Sequence, residues 1–211
     1  MYIKQLSDVE RRVRSIFPRV LGVDEVNVCS YFGEVVVVGV VIPQDESLII
    51  PVRDSKELTD TQISKIANQL MSTIEYYVEY VTPRECDKQL LQGEYRAIKR
   101  ICKRAKPDFV FIDYHSIPDK FHIPQWGFQN ADKELWSVSA ASIIAKYIWN
   151  KKCEEYHKMY PEYNLISNRG SFGNQLFNLT VKHGLTKYHR VEWIKSACQK
   201  KRVDFSSIKV R

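Results

Sequence analysis

Residues 35–42 read VVVVGVVI, an apolar run that follows Glu34 and is stopped by Pro43. Such a run is far too short to cross a bilayer as a helix, which needs about 20 apolar residues. Valine restricts its own χ1 and favours the extended chain, so the run is expected to be a strand. It is apolar at every position, not at alternate ones, and a strand of that kind has to be covered on both faces. The chain is therefore expected to form an α/β fold, a sheet flanked by helices. At 211 residues it is long enough to bury such a core without disulfides or structural metal.

The rest of the chain supplies the expected partners. Residues 7–17 suit a helix, with Val9, Val13 and Ile16 on one side. Residues 20–26 and 47–52 suit strands, the early strands pairing as a meander. Residues 59–72 suit a helix capped by Thr59 or Asp60, with Ile63, Ile66, Ala67 and Leu70 at helical spacing. Residues 74–81 suit a strand stopped by Thr82-Pro83, residues 93–105 a basic amphipathic helix, and residues 108–113 a short strand. Residues 114–130, rich in proline and aromatics, read as loop. Residues 132–159 carry the longest helical pattern, residues 172–183 another that Gly184 ends, and a last helix starts near Val191. No GxGxxG follows a strand and no Walker A lysine motif is present, which disfavours nucleotide-cofactor folds.

The formal net charge of +7 favours polyanionic partners, because phosphate contacts release condensed counterions; it is equally compatible with a merely basic surface. The five cysteines, Cys29, Cys86, Cys102, Cys153 and Cys198, form no CxxC pair, so reduced thiols are expected and a disulfide framework or zinc site is not. The first residues are charged and lack an apolar core, unlike a signal peptide. The expectation is a soluble, cytoplasmic monomer with no membrane partner.

Three acidic groups sit at strand ends or helix starts: Asp24-Glu25 in LGVDEV, Asp113 closing FVFID, and Asp132 in NADKELWSVSAASIIAK. Carboxylates at the carboxyl ends of strands face the crevice where open α/β sheets bind ligands. Several of them together repel one another unless cations intervene, and Mg²⁺ with its oxygen ligands suits that role. Two such ions can activate a water and stabilise a phosphodiester's leaving oxygen. Plainer roles also fit. Asp132 is a good helix N-cap, Asp113 can cap a turn, and Asp24-Glu25 can be solvated. Adjacent residues in a regular strand also point to opposite faces, so Asp24 and Glu25 share a site only if the strand ends, twists or bulges there.

Taken in order, GVDEV, YFG with the valine strand, DSKEL, PDFVFID, AD with SVSAASIIAK, YPEY, and HR in KYHRVEW resemble the type 2 ribonuclease H family, ribonucleases HII and HIII. The resemblance spans residues 21–193. It implies a ribonuclease H-like fold with a mixed five-stranded sheet flanked by helices and a C-terminal helical extension. On that basis residues 1–19 are a helical extension, 20–160 the catalytic core and 161–211 a helical region that grips substrate. The resemblance makes Asp24, Glu25, Asp113 and Asp132 the catalytic, metal-binding tetrad, with Mg²⁺ or Mn²⁺ as cofactor. It implies cleavage of the RNA strand of RNA–DNA hybrids, leaving a 3′-hydroxyl and a 5′-phosphate. Lys56 matches a lysine that approaches substrate phosphate. Ser139, Ala140, Ala141 and Ser142 suit close helix–sheet packing, and Lys146 is expected to reach solvent.

Two departures from the family pattern stand out. Where ribonuclease HII carries glycine-arginine-glycine and HIII glycine-threonine-glycine, this chain has Asn27, Val28 and Cys29. In the family that loop's backbone contacts the ribose 2′-hydroxyl, the group that tells RNA from DNA, and glycine allows close approaches that valine and cysteine resist. In NRGSFGN, Phe172 stands near the place of a tyrosine that stacks at the DNA–RNA junction. Substrate contacts are thus expected from Asn27, Val28, Cys29, Lys56 and Phe172. The altered loop leaves two further readings: a hybrid- or duplex-binding protein with little turnover, or a nuclease of changed specificity. The arginines Arg11, Arg12, Arg14 and Arg19 suit either phosphate contacts or an ordinary solvated helix.

Overall fold

A computed structural model of the chain describes residues 2–118 and 121–211. The valine run is strand β2 (Val35–Val41), buried along its whole length. Strand β1 (Val20–Val26) pairs with it antiparallel, from Leu21 opposite Val41 to Val26 opposite Val36. On its other side β1 runs parallel to β4 (Phe109–Asp113), and β4 runs parallel to β5 (Gln125–Phe128). With β3 (Tyr76–Val81) beside β2, the order is β3-β2-β1-β4-β5.

The sheet is mixed and five-stranded, as expected, but one strand comes from a different place. Residues 47–52 form no strand. The Asp45 carboxylate accepts the Ser47 N–H at 2.9 Å and winds Glu46–Leu48 into a 3₁₀ turn; only Val52 makes a bridge, to Ile3. The fifth strand lies within residues 114–130, expected to be loop. Its four residues, QWGF, are too few to show a period. A Cβ at Gly127 would lie 2.4 Å from the Ser116 backbone nitrogen, so this edge pairing depends on a glycine there. In the same stretch Asp119 and Lys120 lie outside the described residues, as does Met1.

Helix α1 (Asp8–Ile16) opens with a capping box of Ser7 and Glu10, and α2 (Asp60–Thr73) with one of Thr59 and Gln62. Helix α3 (Pro83–Ala105) starts at Pro83, not at Gly93. Proline both stops β3 and fits the first helical position, where its missing N–H is not needed; Thr82 and Glu85 close a reciprocal cap over it. The helix is interrupted at Gln89 (φ −161°, ψ 82°). The long pattern from Asp132 also divides, into α4 (Ala131–Glu134) and α5 (Trp136–Met159), with an extended Leu135 between them. Short α6 (Leu165–Asn168), α7 (Asn174–His183) ending at Gly184 (φ 95°), and α8 (Val191–Lys201) complete the described helices. None is long and apolar enough to cross a membrane, and all five cysteines are free thiols.

The chain forms two compact units. The first holds Met1–Val26, Val36–Glu79 and Tyr95–Tyr147; the second holds Asn27–Val35, Tyr80–Glu94 and Ile148–Arg211. In the first, α5 lies close against β1, since a Cβ on Gly22 would come within 2.4 Å of Ser137 Oγ. The start of α5 is capped from a distance. Glu10 of α1, fully buried, accepts the Trp136 and Ser137 N–H groups at 3.1 and 2.9 Å and the Ser137 hydroxyl at 2.8 Å. A carboxylate there satisfies orphan amides and complements the helix dipole. Arg11 and Arg14 pair with Glu46, and Arg19 with Glu75, so three of the four early arginines are tied into this unit. In the second unit Phe32 packs edge-on against Tyr156 and His189. Glu34 is buried and accepts from the Tyr156 hydroxyl (2.6 Å) and Lys152 Nζ (2.5 Å).

Candidate active site

The first unit gathers three of the expected acids. Asp24 lies on β1 just past the point where β4 leaves it, since the parallel pairing ends at Val23 opposite Ile112. Asp113 ends β4, and Tyr114 turns the chain away in a left-handed conformation (φ 71°). Asp132 is the second residue of α4. It is not the N-cap. That position is Asn130, also left-handed, and the helix start is capped by Asp113, whose Oδ1 accepts the Ala131 N–H at 2.8 Å. The plain role proposed for Asp132 is therefore filled by another carboxylate.

The three acids feel one another. The Asp24 carboxyl is lifted to a pKa of about 8, chiefly by burial and in part by the charges of Asp113 and Asp132, against hydrogen bonds from Ser142 and the Glu25 amide. Asp113 is raised by burial and by the Asp132 charge, although the Ala131 and Asp132 amides and Lys56 oppose the rise. Asp132 is almost wholly buried, and its Oδ1 has no hydrogen-bond partner. A buried carboxylate oxygen with no partner is costly. Lys56 Nζ stands 3.5 Å from Asp132 Oδ2. Burial lowers the Lys56 pKa, but the charges of Asp132, Asp54 and Asp24 outweigh it and the net shift is upward. One exposed ammonium does not balance three carboxylates, so the group favours a further cation.

Glu25 follows Asp24 in a ladder without a bulge, its partner Val37 in register. It is half-buried and its amide donates to Asp24 Oδ1 at 2.8 Å. Among the described residues, no three His, Cys, Asp or Glu side chains close on one point tightly enough to hold an ion unaided. Mg²⁺ does not require such a cage, because it is usually held by one or two carboxylates with waters and substrate phosphate oxygens. Hard oxygen donors, like-charge strain and an orphan oxygen together fit a divalent cation.

Residues read in the sequence as small or solvated hold this cluster in place. Ser142 bonds both Asp24 and Ser55, the latter Oγ to Oγ at 3.1 Å. Lys146 is only half-buried, but it is not simply solvated. Its ammonium donates to the Ser55 carbonyl at 2.7 Å, and burial lowers its pKa. The turn bearing Lys56 is thus fastened to α5 at two points, while Asp54 caps it from below by accepting the Lys56 N–H. Only the i, i+4 spacing of Ser142 and Lys146, which puts both on one helix face, hints at this in the sequence.

The second unit holds the other expected contacts. Asn27 is left-handed (φ 70°), and its Nδ2 donates to the Phe32 and Glu34 carbonyls, both at 2.9 Å. The Phe172 N–H donates to the Cys29 carbonyl at 3.2 Å, which brings residues 27–29 and Phe172 together. Phe172 is 41% exposed and lies between Tyr31 and Trp193, ring centroids 4.6 and 4.8 Å away. With Lys200 these rings line a cavity of about 370 Å³. Arg190, paired with His189 in the sequence motif, is fully buried and donates to three carbonyls of the 27–33 segment.

Residues 21–196 match the family model for ribonuclease HII. A ribonuclease HII of Caldanaerobacter subterraneus subsp. tengcongensis is 31% identical over 179 residues, 83% of this chain and 73% of the relative. The ribonuclease H2 of Pyrococcus horikoshii has the same fold, with a TM-score of 0.72 at 24% identity, covering 88% of this chain and all of that one. Bst-RNase HIII in complex with Mn²⁺ superposes with a TM-score of 0.61 at 22% identity over 78% of this chain and 61% of its own. With most of its length matched, the chain belongs to the ribonuclease HII family of metal-dependent endoribonucleases.

Proposed function

We propose that the chain cuts the RNA strand of RNA–DNA hybrids internally, leaving a 3′-hydroxyl and a 5′-phosphate. Asp24, Glu25, Asp113 and Asp132 would hold the divalent cations, Mg²⁺ or Mn²⁺. The observation that carries this reading is the grouping of Asp24 and Asp113, near the ends of β1 and β4, with Asp132 of α4, which keeps an unsatisfied buried oxygen. When bound, such ions supply charge neutralisation, activation of a water and stabilisation of the leaving oxygen.

The protein's own groups do the rest. Ser142 orients Asp24, and the Ala131 amide orients Asp113. Lys56, 71% exposed at its side chain, offers positive charge to a substrate phosphate while staying beside Asp132. In the second unit, the backbone of Asn27, Val28 and Cys29 contacts the ribose 2′-hydroxyl, and Phe172 offers an aromatic face to a sugar or base. The substrate-gripping role of residues 161–211 rests on Phe172 and on the basic run Lys200-Lys201-Arg202.

The test is a cleavage assay on four labelled substrates: an RNA–DNA hybrid, a DNA duplex with one ribonucleotide, duplex RNA and duplex DNA. Each is run with Mg²⁺ and with Mn²⁺, beside Asp113→Asn. Cutting of the hybrid that vanishes in the variant is the expected result. Hybrid binding without cutting by the native chain points instead to a binding protein, and cutting of duplex DNA to a changed specificity.

A further inference from the structure

Residues 27–34 connect β1 to β2 without the glycines that would make tight backbone angles cheap near Asn27. A left-handed residue other than glycine carries a conformational cost, smallest for Asn and Asp. Two groups hold the segment in that shape. One is the Asn27 side chain, which ties the start of the loop to the carbonyls of Phe32 and Glu34. The other is Arg190. Its Nη2 donates to the Asn27 carbonyl at 2.6 Å, its Nη1 to the Val28 carbonyl at 2.6 Å, and its Nε to the Gly33 carbonyl at 3.0 Å. Its own N–H donates to the Tyr31 carbonyl at 2.8 Å. A buried charge is tolerated only with a full set of partners. Arg190 has these carbonyls and the nearby carboxyl groups of Asp87 and Glu94. A planar fork can address three separated carbonyls at once, which a lysine ammonium cannot.

The direction of these bonds has a consequence for the other side of each peptide. In a planar trans peptide the N–H of one residue points opposite to the C=O of the residue before it. Drawing the Asn27 and Val28 carbonyls onto Arg190 therefore turns the N–H groups of Val28 and Cys29 away from it. Val28 is half-buried and Cys29 exposed. Successive N–H groups facing one way make a concavity that receives an oxygen acceptor.

We propose that Arg190, assisted by the Asn27 side chain, is the positioning residue for ribose selectivity. It presets residues 27–29 so that the Val28 and Cys29 amides receive the 2′-hydroxyl, replacing the conformational freedom of glycine with side-chain hydrogen bonds. The proposal rests on the hybrid-nuclease reading above. Arg190 itself touches no substrate and acts through the loop.

The test uses the full chain, native and with Arg190→Lys or Asn27→Ala. Fluorescence anisotropy without divalent metal compares a labelled RNA–DNA hybrid with a DNA duplex of the same sequence, and thermal unfolding checks that each variant folds cooperatively. In Arg190→Lys the preference for hybrid over DNA duplex falls about tenfold, the scale of one lost hydrogen bond, while DNA-duplex affinity changes less than about twofold. Should Arg190→Lys not fold, Asn27→Ala decides, since its side chain is only part-buried; its preference falls about threefold. A folded variant that keeps the native preference overturns the positioning role alone. A native chain with no preference for hybrid overturns both this proposal and the hybrid reading, a result separable from the first.

Discussion

The first unit and the second each bury charge, and they treat it in opposite ways. Around Asp24, Asp113 and Asp132 the charges are alike, one oxygen has no partner, and a single exposed lysine offers compensation. Around Arg190 the charge is unlike its surroundings, and its donors reach three carbonyls. The first arrangement is unstable by itself and is relieved by something from outside. In the second each guanidinium nitrogen has a carbonyl, although Glu94 Oε1 nearby is also without a hydrogen-bond partner, and the loop is held still. A site that must take up a cation is built from the first kind of environment, and a loop that must present its backbone in one shape from the second.

The largest expected effect breaks the first arrangement chemically. Asp113→Asn keeps an oxygen to accept the Ala131 amide but removes one charge, so hybrid cleavage falls at least about a thousandfold in single-turnover assays. The same substitution relieves repulsion and raises the metal-free protein's stability by roughly 1 kcal/mol, measured by urea unfolding. Loss of activity together with loss of stability would mean that Asp113 serves mainly as the α4 cap.

Arg190→Ala breaks the second arrangement. It strips partners from three carbonyls and leaves Asp87 and Glu94 without their facing charge, so stability falls by about 3–5 kcal/mol. Urea unfolding with an unchanged slope is the check, and a loss below about 1 kcal/mol would contradict a saturated buried cation.

Divalent metal sharpens the contrast, because the like-charged acids of the first unit have a reason to bind it. Mn²⁺ or Mg²⁺ raises the native protein's Tm by a few degrees in a concentration-dependent way, and Asp24→Asn abolishes the shift.

The smallest effect concerns Glu94, the acid beside Arg190. Burial lifts its pKa from 4.5 to about 7, with the Arg190 charge opposing the rise. The folded protein therefore retains a proton that the unfolded chain releases, and this group's contribution to stability is lost as pH rises from about 4.5 through 7. Glu94→Gln flattens that decline, by on the order of 1 kcal/mol after allowance for partial solvent access. His189 works the other way. Burial lowers its pKa from 6.5 to about 3, so its contribution is present above pH 6.5 and lost as pH falls toward 3.

Much of the architecture was legible because periodicity and punctuation are local. The valine run could only be a doubly covered strand, and Thr59 with Gln62 announced a capped helix. Where the reading failed, the deciding interaction was short or distant. Asp45 wound residues 46–48 into a turn where β-prone residues had suggested a strand. Strand β5 was hidden in four residues held by the edge of β4 and by bonds to Ser116 and Ile117. Pro83 marks the end of a strand in the sequence and is also the beginning of α3.

The acids themselves were visible from their places at strand ends and in a family pattern, since residue type and order survive in one dimension. What holds them was not. Ser142 bonding to Asp24, Lys146 fastening the turn at Ser55, Glu10 capping α5 and Arg190 gripping residues 27–33 all join residues far apart in the chain. Sequence alone determined which side chains were available and which segments would coil or extend, because those depend on neighbours within a few positions. Which carboxylates keep an oxygen without a partner, and which arginine grips three carbonyls, was decided only when folding fixed the directions of distant hydrogen bonds.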